Sequence, residues 1–542
     1  MTRHTQTRVQ PFPTSALKVG LGVVLFLLLL SLALAWVSTK FQDVQGWGSF
    51  LAMFVLCGAI LAVGWLALKA EGLPRWLGAL LVGAAVLRLA VGAMWYIVLP
   101  VAGHGGVEEK AGYVMADARE RDQTAWQIAQ SGKALSRTFL TYRKADQYGG
   151  LLFLSVLVYR YLSSASHQPL MMVGVTAAFS ALAILFTWAL ARRAWGARAA
   201  GVAALTLALY PEAVLLGSSQ MREAFTITFT VAAFYGLVRF GQDHSWSGLA
   251  WILGAVLLNL PLSPPLSALL MVMLGVTALL MGRKTLFGER GLHQWRLWLL
   301  LVGVVALVLL GLYLSWRQFA PRDDFDLIAL IGWWIRKSAE WQAYLTRRAS
   351  GWIQKIFSGT PDWTHVPLLL AYGVVQPFLP AALIAPSQAP VWQWIAIWRA
   401  LGWAILLPAL LYAPLRAISQ RSARGFTLGL SLAVWIVILA ASYRAGGDQW
   451  DNARYRSAFA GLQVALVAWM WMEHRRSSDP WLRRVLVSVA LILAWFLPWY
   501  LRRYTAFEWP VVDVFKTLGL GIASAFLFIL WDWTRKSVKR ET

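Results

Sequence analysis

The stretch "ADARERDQTAWQIAQSG", Ala116 to Gly132, sets Asp117, Glu120 and Asp122 among Arg119 and Arg121 in a chain otherwise rich in apolar runs. A carboxylate held where water meets lipid can take the proton of an attacking hydroxyl, the task of a general base. Downstream, Trp126, Ile128, Ala129 and Ala134 predict a short helix resting on the membrane surface, with Asp122 at or near its N-terminal end. The helix dipole stabilises an ionised carboxylate there. An N-cap aspartate ahead of an ordinary loop helix explains the same residues without chemistry. The three carboxylates could also hold a divalent ion through oxygen ligands, although the interleaved arginines weigh against it.

Two further polar knots interrupt the apolar pattern. In "YPEAVLLGSSQMREAF", Tyr210 to Phe225, Arg222 can bind an anionic group such as a lipid phosphate, with Glu223 orienting it or the catalytic loop. A local ion pair anchoring a hairpin is the plain alternative. In "RAGGDQWDNARYRSAF", Arg444 to Phe459, Arg454 and Arg456 flank Tyr455, where arginine suits phosphate oxygens and tyrosine adds a hydroxyl donor. Interfacial anchoring explains these residues equally. Arg88 stands in the middle of an apolar helix, where an unpaired charge is expensive, so it is expected to face other helices.

The elements that must carry these residues are transmembrane helices. Of 542 residues, 59% are hydrophobic and 14% charged, and runs such as "ALKVGLGVVLFLLLLSLALAWV" meet the length of about 20 apolar residues that a span requires. Spans are expected near 17–37, 48–69, 77–100, 169–191, 199–217, 221–240, 247–260, 264–281, 297–316, 393–415, 426–443, 457–473, 485–501 and 513–533. The chain thus reads as an all-α polytopic membrane protein of about 14 helices (12–14). The first helix is expected to stay uncleaved. Loops such as "ARRAWGARA" and "HRRSSDPWLRR" are short and basic, which places them, and both termini, in the cytoplasm.

This sidedness puts all three knots on the outer face of the cell membrane, along with two long segments, 101–168 and 317–392. "LLFLSVLVYRYL" at Leu151 is too short to cross, and "LLLAYGVVQPFLPAALIA" at Leu368 is interrupted by Pro377 and Pro380, so both are expected to be juxtamembrane or re-entrant. In 317–392, tryptophans alternating with Arg and Lys suit helices lying in the headgroup plane. The expected organisation is two additional helices in 1–75, a catalytic module in 76–316, the amphipathic segment 317–392, and C-terminal helices in 393–542 with the Arg-Tyr-Arg loop.

Several classes are excluded. The net charge of +24 is scattered in loops that read as topology signals, so no nucleic-acid partner is expected. A single cysteine, Cys57, forbids an intramolecular disulfide, and the dispersed histidines lack zinc spacing. There is no Walker loop, and "LGLGIA" lies inside an apolar helix without a preceding strand. No cofactor is required by any motif.

Together the motifs resemble the GT-C superfamily of membrane glycosyltransferases, in particular the protein mannosyltransferase and aminoarabinose transferase-like branch, from about Trp76 to Trp316. An "LRL"-bearing helix at Leu87 leads to an outer loop in which Asp122, Trp126 and Ala129 match that branch's D-x-x-x-(Y/W)-x-x-A pattern. A basic turn, a helix ending in Tyr210-Pro211 and Glu223 at the next helix start follow in the family's order, and "ARYR" at Ala453 is similar to its late Arg-Tyr signature. The departures are two extra helices at the start, Trp126 in place of the commoner Tyr, and no plain acidic pair, so Asp117 or Glu120 can stand in for Asp122.

The resemblance implies a sugar donor on a polyprenyl-phosphate carrier at the outer leaflet, no nucleotide-sugar site, and a lipid, glycan or protein acceptor. It makes Asp122 the base in an inverting transfer, with Arg222, Arg454 or Arg456 stabilising the departing lipid phosphate. A transporter or lipid flippase is the alternative, favoured by the many helices, though no two repeated halves are visible. A polysaccharide polymerase or ligase would share the outer arginines.

Overall fold

The computed structural model describes residues 14–140, 145–282, 294–319, 332–333, 336, 354, 357–419, 424–445, 451–477 and 479–541. Their regular structure is helical, with no strand among them. The helices that matter here are α1 (Thr14–Ser38), α2 (Trp47–Ala67), α3 (Arg75–Ala102), α4 (Ala116–Gln130), α5 (Gly150–Leu162), α6 (Pro169–Trp195) and α7 (Ala197–Leu209). They continue as α8 (Pro211–Gly217), α9 (Glu223–Asp243), α10 (Trp246–Asn259), α11 (Pro264–Met281), α12 (Gln294–Phe319) and α13 (Asp362–Val375). The last are α14 (Pro390–Ser419), α15 (Arg424–Ala445), α16 (Asp451–Ser457), α17 (Ala460–Arg476), α18 (Trp481–Tyr504) and α19 (Val514–Glu541).

Helices stand in each of the fourteen intervals expected from the sequence. Among the described residues nine are long and apolar enough to cross a membrane, or ten if α7 and α8 are one bent span. The chain is a multi-pass membrane protein. α1, α10, α12 and α17 fall short of that length and composition over their described residues. At the centre stands α6, buried on nearly every side and packed by α2, α3, α7 and α9; a helix apolar all round has no polar face to turn outward.

The expected single helix over 199–217 is instead two, bent by 53°. Tyr210 adopts extended angles (φ −63°, ψ 123°) because Pro211 crowds the residue before it and supplies no N–H to the preceding turn. The break leaves carbonyls at the end of α7 without helical partners. Arg88 reaches them from α3: its Nη1 lies 3.4 Å from the Ala208 carbonyl and its Nη2 3.4 Å from that of Leu207. Nε donates to Ser180 at 2.9 Å. The intramembrane charge is therefore a cap on a broken helix. On the far side of the break, Glu212 receives Arg399 of α14 at 2.7 and 3.1 Å, both buried.

The bundle has two polar ends. At one, Arg193 at the end of α6 holds both oxygens of Glu71 at 2.9 Å and Asp243 at 3.0 Å. At the other, the start of α9 and α11 and the end of α15 meet α4, α5 and α16, and the residues singled out above lie there.

Two expectations change. Asp122 is not at a helix start: α4 begins at Ala116, so Asp117 holds the first turn and Asp122 stands mid-helix. Met115 sets that start, extended at φ −129° and buried with Tyr113, Ala118, Leu216 and Met221. The Arg-Tyr-Arg stretch is helical, as α16. α5 is a short apolar helix as expected, and the helix is interrupted between α13 and the helix Leu379–Ile384, with Pro377 in the break and Pro380 in the first turn that follows. Most of the tryptophan-rich amphipathic stretch lies outside the described residues.

Candidate functional site

Asp122 is completely enclosed. Tyr113 donates to Oδ2 at 2.6 Å, Tyr159 donates to Oδ1, and His167 Nε2 lies 2.6 Å from Oδ2. Burial, and then the Asp122 charge, push both phenols far above their ordinary range, so they remain protonated donors. Trp126, one turn beyond Asp122 on the same face of α4, meets Tyr159 edge-on at 5.8 Å and stacks on His167 at 5.3 Å with 27° between planes. The cluster is a carboxylate held by two phenol donors and an imidazole nitrogen, with the imidazole as its route outward: the His167 side chain is 29% exposed.

A separate cavity of about 650 Å³ lies at the same end of the bundle. Its polar end is formed by Tyr148, Arg222, Glu223, Arg444, Arg454 and Tyr455. Its wall is apolar, from Pro265, Leu266 and Leu269 of α11 and Val437, Ala440 and Ala441 of α15. Arg454 Nε donates to Glu223 Oε1 at 2.8 Å, and its Nη2 lies 3.3 Å from Asp117 Oδ2. Arg222 sits over the Tyr148 ring at 5.4 Å, and Arg444 over Tyr455 at 5.2 Å. Tyr148 is positioned by Gly149, whose φ of +83° and whose approach to the Thr138 carbonyl leave no room for a side chain. Three guanidiniums line this end beside Glu223, and a guanidinium matches the oxygens of a phosphate.

The structure thus brings Asp117, Arg222, Glu223, Arg454 and Tyr455 together, and keeps Asp122 and Trp126 in a neighbouring cluster. Arg456 faces away. It is fully buried with its guanidinium 3.3 Å over the Trp403 ring, and burial pushes its pKa down to about 10. The carboxylates suggested for a divalent ion diverge: Asp117 meets Arg454, Asp122 is caged and Glu120 is exposed. Among the described residues no three His, Cys, Asp or Glu side chains converge as metal ligands.

Sequence reasoning missed Tyr113, Tyr159 and His167 around Asp122, and Tyr148 and Arg444 in the cavity. Arg444 lay within a quoted motif and had the same signal as Arg454, a cation at the end of an apolar run. His167, in "SSASHQPL", carries no spacing relation to Asp122 that a sequence pattern could reveal.

No family model matches the chain. Over 181 residues it is 30% identical to the apolipoprotein N-acyltransferase of Azotobacter vinelandii (strain DJ / ATCC BAA-1303), covering 30% of this chain and 32% of that protein. Among solved structures it is similar to the archaeal oligosaccharyltransferase AglB from Archaeoglobus fulgidus in complex with an inhibitory peptide and a dolichol-phosphate. That likeness has a TM-score of 0.40 and 17% identity, over 83% of this chain and 56% of the other. The Archaeoglobus fulgidus oligosaccharyltransferase in the apo form is similar with a TM-score of 0.39 and 14% identity, again over 83% and 56%. The chain spans about a third of the length of the acyltransferase (32%) and little more than half (56%) of the oligosaccharyltransferase chains.

Proposed function

We propose that the chain is a membrane glycosyltransferase that moves a sugar from a polyprenyl-phosphate carrier to an acceptor at the outer face of the cytoplasmic membrane. The observation that carries this reading is the cavity's two-part lining. Arg222, Arg444 and Arg454 meet at one end, and the apolar side chains of α11 and α15 form the wall below them. A lipid phosphate has the matching halves, an anionic head and a hydrocarbon tail. The catalytic module is 76–316, and α15 and α16 from the C-terminal part complete its cavity.

In the reaction the acceptor oxygen or nitrogen forms a bond to the anomeric carbon as that carbon's bond to the phosphate oxygen breaks. The phosphate leaves with the electron pair, and its growing charge is met by the arginines. Glu223 keeps Arg454 in place, its Oε1 2.8 Å from Nε. Asp117 meets the same guanidinium. The proton of the acceptor passes to the Asp122 cluster, and one displacement inverts the anomeric centre.

The test is transfer of radiolabelled sugar from synthetic polyprenyl-phosphate hexoses and pentoses in proteoliposomes, with envelope extract as acceptor. Label should enter extract components with the parent chain and not with Arg222→Ala/Arg444→Ala. Translocation of the labelled lipid without transfer would establish a flippase instead.

A further inference from the structure

We infer that His167, oriented by Asp122, is the group that takes the acceptor's proton; the assignment rests on the glycosyl-transfer reading above. A general base must come within hydrogen-bond reach, about 2.6–3.2 Å, of the proton it removes. Asp122 has no exposed surface, and its two oxygens are occupied by Tyr113, Tyr159 and His167. A substrate atom has no approach to it. The imidazole beside it does have one, with 29% of its side chain exposed.

With Nε2–H donating to Asp122, the second ring nitrogen, Nδ1, carries the lone pair. An enclosed carboxylate, an imidazole and a reacting hydroxyl form the same chain of roles as in triad enzymes, where the carboxylate fixes the tautomer and stabilises the imidazolium that forms. Tyr113 and Tyr159 hold Asp122 as the charged partner, and Trp126 stacked at 5.3 Å fixes the plane of the ring. The ionisable groups facing His167 are Asp122 and Tyr159, with Tyr113 behind the carboxylate.

In-line displacement sets where a base has to stand relative to the arginines. The incoming oxygen lies about 3–3.5 Å from the anomeric carbon on the side away from the phosphate. The base lies about 3 Å farther on in that direction. One chain segment links the His167 loop to the cavity. Gln220 Nε2 donates to the Pro169 carbonyl, two residues past His167, at 2.9 Å. Arg222 and Glu223 of the cavity follow closely on Gln220, so the Cα atoms of Gln220 and Glu223 are at most about 11 Å apart. The bond that forms is acceptor oxygen to carbon, the bond that breaks is carbon to phosphate oxygen, and the acceptor proton ends on His167 Nδ1.

The test uses the full chain in proteoliposomes with a donor that the parent transfers. His167→Gln keeps a donor toward Asp122 but cannot take a proton. Its kcat should fall by about 10²–10⁴-fold, with KM for the donor unchanged. Added imidazole should restore part of the rate to His167→Gly, which a structural role would not allow. A His167→Gln rate within about threefold of the parent, far from the loss of a general base, overturns the assignment and leaves the glycosyl-transfer reading standing. Should His167→Gln fail to fold, the imidazole response of His167→Gly decides alone, and no restoration overturns the assignment. A parent chain that transfers no sugar from any carrier overturns both.

Discussion

Arg454 donates to Glu223 across 231 residues of chain, Nε to Oε1 at 2.8 Å, and the same guanidinium lies 3.3 Å from Asp117. One side chain therefore joins α4, α9 and α16 at the cavity. Removing it leaves Glu223, 6% exposed, as a buried carboxylate that must rely on Arg222, 4.0 Å away, for compensation. Arg454→Ala should lower initial transfer rates by about 100-fold or more, the scale of losing one charge-stabilising donor. Arg454→Lys should recover little, because an ammonium has no planar fork to serve two carboxylates at once. Rates in proteoliposomes check both. Activity near the parent's in Arg454→Ala would remove Arg454 from the site.

The tyrosines around Asp122 make stability depend on pH in a definite direction. Their phenols titrate well above the ordinary value of about 10 in the folded chain and near it in the unfolded chain. Above about pH 10 the native state keeps protons that the unfolded state has lost, so this contribution is intact below that pH and fades as pH rises. The melting temperature of the detergent-solubilised chain should fall more steeply between about pH 9 and about pH 11 than that of Tyr113→Phe/Tyr159→Phe. At neutral pH the double variant should be less stable, by about 1.5–3 kcal/mol per hydrogen bond to a charged group. Equal slopes would mean that the phenols do not titrate as the cage requires.

Legibility in the sequence followed cost in lipid. Asp117, Arg222, Glu223 and Arg454 stand out because a charge in an apolar chain needs a reason, and the structure brings these four together. Arg456 stands out equally but faces Trp403, since on a helix two residues are about 200° apart and Arg454 already faces the cavity. Expecting α16 to be helical would have separated them. Asp122 was placed one and a half turns too near the helix start because the burial of Met115 is a tertiary effect with no local signal. The same holds for His167, Tyr113 and Tyr159, which reach Asp122 only once α3, α5 and α6 are packed.

Arg456 gives a stability prediction independent of any activity. Its guanidinium is fully buried against Trp403, with Tyr210 and Glu212 as its other favourable electrostatic neighbours. Trp403→Leu takes away the aromatic face and leaves a charge poorly compensated, at a cost of about 3–5 kcal/mol. Replacing the charge as well should recover much of that loss. Trp403→Leu/Arg456→Met should therefore melt above Trp403→Leu alone. A double variant melting lower would show that Arg456 has stabilising partners beyond the ring.

The proposed chemistry requires the Asp122 cluster and the cavity to face the same compartment, opposite to the Glu71–Arg193–Asp243 cluster. The lone cysteine makes this measurable. Cys57 lies in α2, and in a Cys57→Ala background a single new cysteine can be placed at Gln127, exposed on α4, or at Ala70, exposed at the other end of the bundle. Neither Gln127 nor Ala70 belongs to the cavity lining, so the substitutions leave the arginines and their apolar wall in place. A membrane-impermeant maleimide added to intact cells should label position 127 and reach position 70 only after permeabilisation, the outcome expected where Lys- and Arg-rich loops collect on the cytoplasmic side. Labelling of both positions from one side would contradict the single crossing that α3 makes between them. Labelling in the reverse sense would put the cavity in the cytoplasm, where the donor would have to be presented at the inner leaflet.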